Sequence, residues 1–343
     1  MSLITAHFDV SGVSFLIKKD KKSTEILNFP YVYSKGLFSN QCDEKDFYSK
    51  LLEKVMIDRG IKASTCNIIT CGFIDSTNLN IKTKLSIGVV DLIEKADEII
   101  PVFVNNSALI TKGFISSKSD IRESIGTEKN ESDFGEFNDV ANATIFPQLV
   151  PADVSSQISV DTEVYGRVPK NLKFESGRKI IFTGGRFSQN VLDKELNYIL
   201  ALDILRGLGV FNVYLDTSNF FSLHRATQLY DKEMVGDLFE YIEDSGLFIR
   251  TGGACECLLS TGVGDDKFIE IEENKVFVLP LKVENPAKMS VKSRDLGTID
   301  LRATGGRIGL VFDTRLNDSG SIYSDVKLFN DCVKQFEAVL KGN

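Results

Sequence analysis

The sequence predicts an α/β protein built of two successive units, followed by a small all-β module and a closing helix. Three observations carry this. The first hundred residues alternate strand and helix patterns, and a second alternation begins at Arg178. After Gly262 the helical period gives way to short strand-like runs separated by turn residues.

Leu3 to Val10 is a strand candidate, Ser11-Gly12 a turn, and Val13 to Lys19 a returning strand. A polar turn at Asp20 to Lys22 leads into a third, Thr24 to Tyr33. Asp43 is placed to cap a helix running to Gly60, with Phe47, Leu51, Leu52, Val55 and Met56 on one stripe and the glycine as its stop. Cys66 to Cys71 reads as a buried strand, Ser86 to Lys95 as a second helix and Ile99 to Val104 as another buried strand. Residues 1–106 are therefore expected to form one subdomain. Their order, β-β-β-α-β-α-β, is that of one half of an actin-like, ribonuclease H-like fold, and of α/β order in general.

From residue 107 to 157 the pattern loosens into an expected irregular insertion, with Ser116 to Asp139 rich in Ser, Glu, Asp and Gly. Residues 158–262 read as the second α/β subdomain. In it Lys179 to Phe182 is a buried strand that ends in Gly184-Gly185, and a helix is expected from Leu192 to Gly209. A strand at Asn212 to Leu215 follows, then helical patterns at Phe221 to Leu229 and Lys232 to Ile242. Residues 263–343 form the expected β-module, with strands at Lys267, Lys275, Lys288, Thr298 and Arg307. It closes with an amphipathic helix, Ile322 to Lys341, whose apolar stripe is read as packing surface.

Composition narrows the function classes. The chain has 343 residues, 43% hydrophobic and 26% charged, which is ample for a large core. Its net charge is −8 and no Lys/Arg stripe carries interleaved aromatics, so neither nucleic acid nor an anionic membrane surface is expected as a partner. No apolar run approaches the roughly 20 residues of a membrane span and no secretory signal is visible, so a cytoplasmic location is expected. Six scattered cysteines are expected as reduced thiols, and Cys255-Glu256-Cys257 lacks a second pair at zinc-ligand spacing.

Candidate site residues cluster at the glycine turns. In the first hairpin Gly12 and its neighbours offer backbone N–H groups to a phosphate, Ser11 or Ser14 a hydroxyl, and Asp9 a carboxylate for Mg²⁺ through water; the alternative is an ordinary hairpin. Gly184, Gly185, Arg186 and Ser188 are candidates for the base and ribose side of a nucleotide, with Arg186 able to stack on a base; a solvated Arg after a turn is the alternative. Asp216 ends a strand either facing a cleft or capping a helix, and His224 reads as a hydrogen-bonded structural histidine. No nucleophile elbow, Walker loop or kinase catalytic loop is present.

The run from Lys179 to Arg186, then Leu200 to Leu205, Gly209 to Asp216, Val278 to Leu281 and Thr304 to Arg315, resembles the C-terminal part of the MutL/GlmL family of actin-like proteins associated with glutamate mutase. The first hundred residues resemble, in topology, actin-like scaffold proteins of cell division and pilus assembly. The resemblance implies an actin-like fold that binds ATP with Mg²⁺ and acts on a partner protein, with Gly184 and Gly185 at the adenosine end of a cleft and an oligomer possible. Against it, Ser11 stands where the first phosphate loop has Gly, and no second loop of the form Asp-x-Gly-x-x-Thr occurs between Asn105 and Val168. The competing reading is a non-enzymatic scaffold that keeps the fold. A small-molecule kinase lacks an identifiable base.

Overall fold

The structure, a computed structural model, describes residues 2–9, 12–19, 23–30, 44–72, 81–96, 98–105, 108–116, 154–166, 168–170, 172–188, 194–262, 266–281 and 286–342. The expectations placed on Ser11, Cys42, Asp43 and 117–153 lie outside them.

Strands β1 (Ser2–Asp9), β2 (Gly12–Lys18) and β3 (Glu25–Pro30) form the expected meander. Helix α1 (Glu44–Asp58) buries its stripe of Phe47, Leu51, Leu52, Val55 and Met56 on the sheet. Gly60 at φ 63° ends it, because the N–H groups of Gly60 and Ile61 turn back to the carbonyls of Ile57 and Met56. The crossover delivers β4 (Cys66–Gly72) parallel to β1, and β5 (Leu85–Gly88) lies parallel to β4. The sheet order is β3-β2-β1-β4-β5. The expected helix from Ser86 to Lys95 is therefore split: its start is β5, and helix α2 (Val89–Glu94) begins only after Gly88, whose backbone is extended.

β6 (Ile99–Asn105), expected to close the first subdomain, instead opens the second sheet. It runs antiparallel to β7 (Ala108–Thr111), which pairs with β8 (Phe114–Ser116), and parallel to β9 (Lys179–Thr183). An apolar run signals burial on both faces but not which sheet it joins. The stretch expected to be irregular from 107 thus contains β7, β8 and the start of helix α3 (Val154–Gly166). After β9 come α4 (Gly185–Ser188), α5 (Lys194–Ile204), β10 (Gly209–Leu215) and α6 (Phe220–Tyr230). α5 stops short of the expected Gly209, with Gly207 at φ 97° in the turn behind it. β10 is parallel to β9, so β8-β7-β6-β9-β10 repeats the order and directions of the first sheet.

Three more strands extend this sheet: β11 (Glu243–Arg250) antiparallel to β10, β17 (Gly309–Asp313) parallel to β11, and β14 (Val276–Leu279) on the outer edge. The helical pattern read at Lys232 to Ile242 yields only two single 3-10 turns, Lys232–Met234 and Leu238–Glu240. The Asp231 and Asp237 side chains cap each locally. The separate sheet is β13-β12-β15-β16, formed by β12 (Cys255–Ser260), β13 (Lys267–Ile271), β15 (Ala287–Ser293) and β16 (Gly297–Ala303). The all-β stretch after Gly262 is thereby shared between two sheets. Helix α7 (Val326–Gly342) buries Cys332, Phe336 and Val339, and Phe336 stacks on Tyr198 of α5 at 5.4 Å.

α6 joins the two units. Its Phe220, Phe221 and Leu223 share a core with Leu16 of β2 and Ile181 of β9, and Thr227 Oγ1 lies 2.6 Å from Thr5 Oγ1 of β1.

Candidate functional site

The repeated strand order brings the last residues of β1 and β6 together. Asp9 and Asn105 occupy equivalent positions, each opening a two-residue hairpin connection, to Gly12 and to Ala108. Asn105 Nδ2 donates to Asp9 Oδ1 at 3.3 Å, and both residues are buried. Asn105 Oδ1 accepts the N–H of Ala108 at 2.7 Å, so its amide spans its own turn and the facing one. A phosphate loop defined by an Asp and a Gly does not match this hairpin, which is why its position is not marked by residue type. Its signal in the sequence is Asn105-Asn106-Ser107 after a buried apolar strand.

The same symmetry explains two glycines. Gly72 ends β4 at φ 117°, where a Cβ would stand 2.1 Å from the Phe8 carbonyl oxygen. Gly184 follows β9 at φ 103°, where a Cβ would meet the Val104 carbonyl oxygen at 2.5 Å. Each fourth strand closes onto the first strand of its unit at the residue before Asp9 or Asn105. Gly184 is thus required by backbone packing against β6.

Gly185 and Arg186 lie in α4, both buried. Arg186 departs from expectation: it neither faces solvent nor is free to stack on a base. Its Nε and Nη2 bind the two oxygens of Asp161 at 2.5 and 2.6 Å, and Nη1 donates to Asn197 at 2.8 Å. Burial disfavours its charge, but the Asp161 carboxylate more than offsets this and its pKa is raised. Tyr323 also donates to Asp161 at 2.8 Å, fixing α4 to α3 and to the segment before α7.

Ser14 is buried, and Asn219 Nδ2 reaches both Ser14 Oγ and Ser188 Oγ at 3.2 Å. Asn219 takes left-handed backbone, φ 55°, at the start of α6, and so ties the first hairpin to the turn after β9. Asp216 is the cap of α6. Its carboxylate accepts from the N–H groups of Ser218, Phe220 and Phe221, from Ser218 Oγ and from Thr183 Oγ1.

Nearby, β1, β4 and α6 bury His7, whose Nδ1 is 3.7 Å from Cys71 Sγ; burial lowers the His7 pKa to about 3 and raises that of the Cys71 thiol. Among the described residues no cluster of three or more His, Cys, Asp and Glu side chains is placed to hold a metal ion. Cys255 and Cys257 are free thiols pointing into the core from alternate positions of β12.

The Thr304 to Arg315 run proves to be architectural. Arg315 binds both oxygens of Asp313 and, at 2.7 Å, Asp203, which also accepts from Ser321 and the Ile322 N–H; Arg250 adds a contact to Asp313 at 3.1 Å. A Cβ on Gly306 would meet the Gly246 N at 2.4 Å. The segment leading into β17 could not otherwise lie against β11 there.

No family model matches the chain, and no curated protein matches it. Some solved structures are similar to the chain at low identity. The ethanolamine utilization protein EutJ from Carboxydothermus hydrogenoformans is 10% identical over 66% of this chain and 89% of its own, with a TM-score of 0.34. A ROK family protein from Streptococcus pneumoniae TIGR4, solved with sucrose, is 9% identical over 68% and 100%, at 0.32. A Ppx/GppA family member from Aquifex aeolicus is 7% identical over 55% and 67%, at 0.27. These likenesses are distant, and it is the strand order that speaks. Two copies of the order 3-2-1-4-5, each with an antiparallel meander and two parallel strands, make this an α/β protein of the actin-like fold.

Proposed function

We propose that the protein is an actin-like scaffold that acts on a partner protein, its halves held together by its own side chains at the place where the fold can hold a nucleotide. The observation that carries this reading is the Asn105 amide, which donates to Asp9 and accepts from Ala108. Mg-ATP would need an accessible carboxylate and hairpin N–H groups turned outward. The described residues fit it poorly: Asp9 is fully buried against Asn105, the Ala108 N–H is taken, and Arg186 is committed to Asp161. Asp216 is engaged as a cap, so it does not serve as the base of a small-molecule kinase either.

A second reading, an ATP-binding accessory protein, has one observation in its favour. Asp9, Asn105, Gly72 and Gly184 converge at the carboxyl ends of central strands of the two sheets, where α/β ligand sites gather. Thermal unfolding with and without millimolar Mg-ATP separates the two. The scaffold reading expects no shift; a ligand at 100 times its Kd adds about 2.7 kcal/mol, and a rise of that order would replace it with the nucleotide reading.

A further inference from the structure

Beside α6 lies a cavity of about 380 Å³, a size within the range of small-molecule pockets. It is walled by Ala96 and Glu98 between α2 and β6, by Ile99 of β6, by Phe221, His224, Arg225 and Gln228 of α6, and by the Asp237 turn. Charges of both signs line it without pairing. Arg225 donates from Nη1 to Gln228 at 2.6 Å, its buried Nε has no acceptor, and among the described residues neither Glu98 nor Asp237 comes within 4 Å of it as an ion pair.

The histidine beside it is set in one tautomer. His224 Nε2 lies 2.9 Å from the Gly236 carbonyl oxygen, which only accepts, so Nε2 carries the hydrogen and Nδ1 keeps a lone pair. Burial lowers the pKa of this ring, with the Gly236 carbonyl opposing it and Arg225 acting in the same direction as burial. The lining therefore combines a guanidinium and an amide from Arg225 and Gln228, the His224 imidazole, the carboxylates of Glu98 and Asp237, and apolar surface from Phe221, Ile99 and Leu238.

Charges of both signs lining one void without an ion pair between them match a ligand that carries both. We propose that this cavity binds a free α-amino acid, its carboxylate on Arg225 and Gln228 and its ammonium group facing Asp237, Glu98 and His224 Nδ1. A lone anion would meet the two carboxylates, and a lone cation the guanidinium. Since the cavity touches both the chain link between the units and the helix that joins them, the ligand would contact both.

Isothermal titration calorimetry of the whole protein with L-leucine, L-lysine and L-glutamate tests this, with 4-methylpentanoic acid and isoamylamine as leucine lacking its amino or its carboxylate group. We expect saturable binding of at least one amino acid at millimolar or lower concentration, and weakening by about tenfold or more when either charged group of the ligand is missing. Arg225→Gln is expected to abolish binding and Asp237→Asn to weaken it, each with unfolding measured without ligand to show that the chain folds. Gln228→Leu, which removes the other carboxylate partner on the same helix, is expected to weaken binding and gives a second variant should Arg225→Gln fail to fold. Absence of heat with all three amino acids, equal binding of 4-methylpentanoic acid and leucine, or unchanged binding by a folded Arg225→Gln would each overturn the proposal.

Discussion

Asp9 and Asn105 end the first strands of the two repeated units and meet at 3.3 Å, carboxylate to amide. Their equivalence within the repeat places a carboxyl group and an amide at positions that a simple duplication would make identical. Two carboxylates at that separation would repel; one carboxylate and one amide hydrogen-bond.

Asn105→Asp should convert this contact into a like-charge pair. Near neutral pH the variant is expected to lose about 2–4 kcal/mol of stability, from the repulsion and the loss of the Nδ2 donor to Asp9. The pair holds one carboxyl pKa above its unfolded value, so the loss should shrink as the pH falls and a proton is shared between them. Denaturant unfolding of wild type and variant at about pH 7 and about pH 4.5 checks both the size and the sign. A deficit that grows on acidification would contradict it.

Gly184→Ala should destabilise the fold by about 3 kcal/mol or more, because its φ of 103° is strained for alanine and the new methyl would stand 2.5 Å from the Val104 carbonyl oxygen. Gly253→Ala is the matched control. A Cβ there would have no heavy atom within 4 Å and should change stability by less than about 0.5 kcal/mol. Chemical denaturation midpoints of the two variants decide the matter.

Arg186→Leu leaves the Asp161 carboxylate, fully buried, with Gln157 and Tyr323 but no cation. A loss of about 3–5 kcal/mol is expected. Arg186→Leu combined with Asp161→Leu should recover a large part of it, since neither charge is then stranded. A cycle of the two single variants and the double variant by equilibrium unfolding measures this coupling.

His7 gives the fold an acid-sensitive point. Its folded pKa is lowered from 6.5 to about 3 by burial, so between those values the unfolded chain binds a proton that the folded chain does not. Stability is unaffected above the unfolded pKa and falls as the pH drops through this window, by at most about 1.4 kcal/mol per pH unit. His7→Asn should flatten that part of the stability profile. An identical slope in the variant would show that other groups control it.

Much of this architecture was legible in the chain itself. The meander, α1 with its stop at Gly60, the Lys179 strand running into a glycine turn and the amphipathic final helix all follow from short-range periodicity and turn chemistry, which act within a few residues. What periodicity does not carry is partnership. Ile99–Asn105 reads as a buried strand wherever it pairs, and only tertiary contact assigns it to the second sheet beside β9. The strands after Gly262 divide between two sheets for the same reason. At the candidate site the sequence marked Asp9, Ser14, Gly184 and Arg186 by residue type alone. Their roles were decided by neighbours far along the chain: Asn105 for Asp9, Asn219 for Ser14, Val104 for Gly184 and Asp161 for Arg186. Residue chemistry states what a group can do, while burial and the nearest partner decide what it is left free to do.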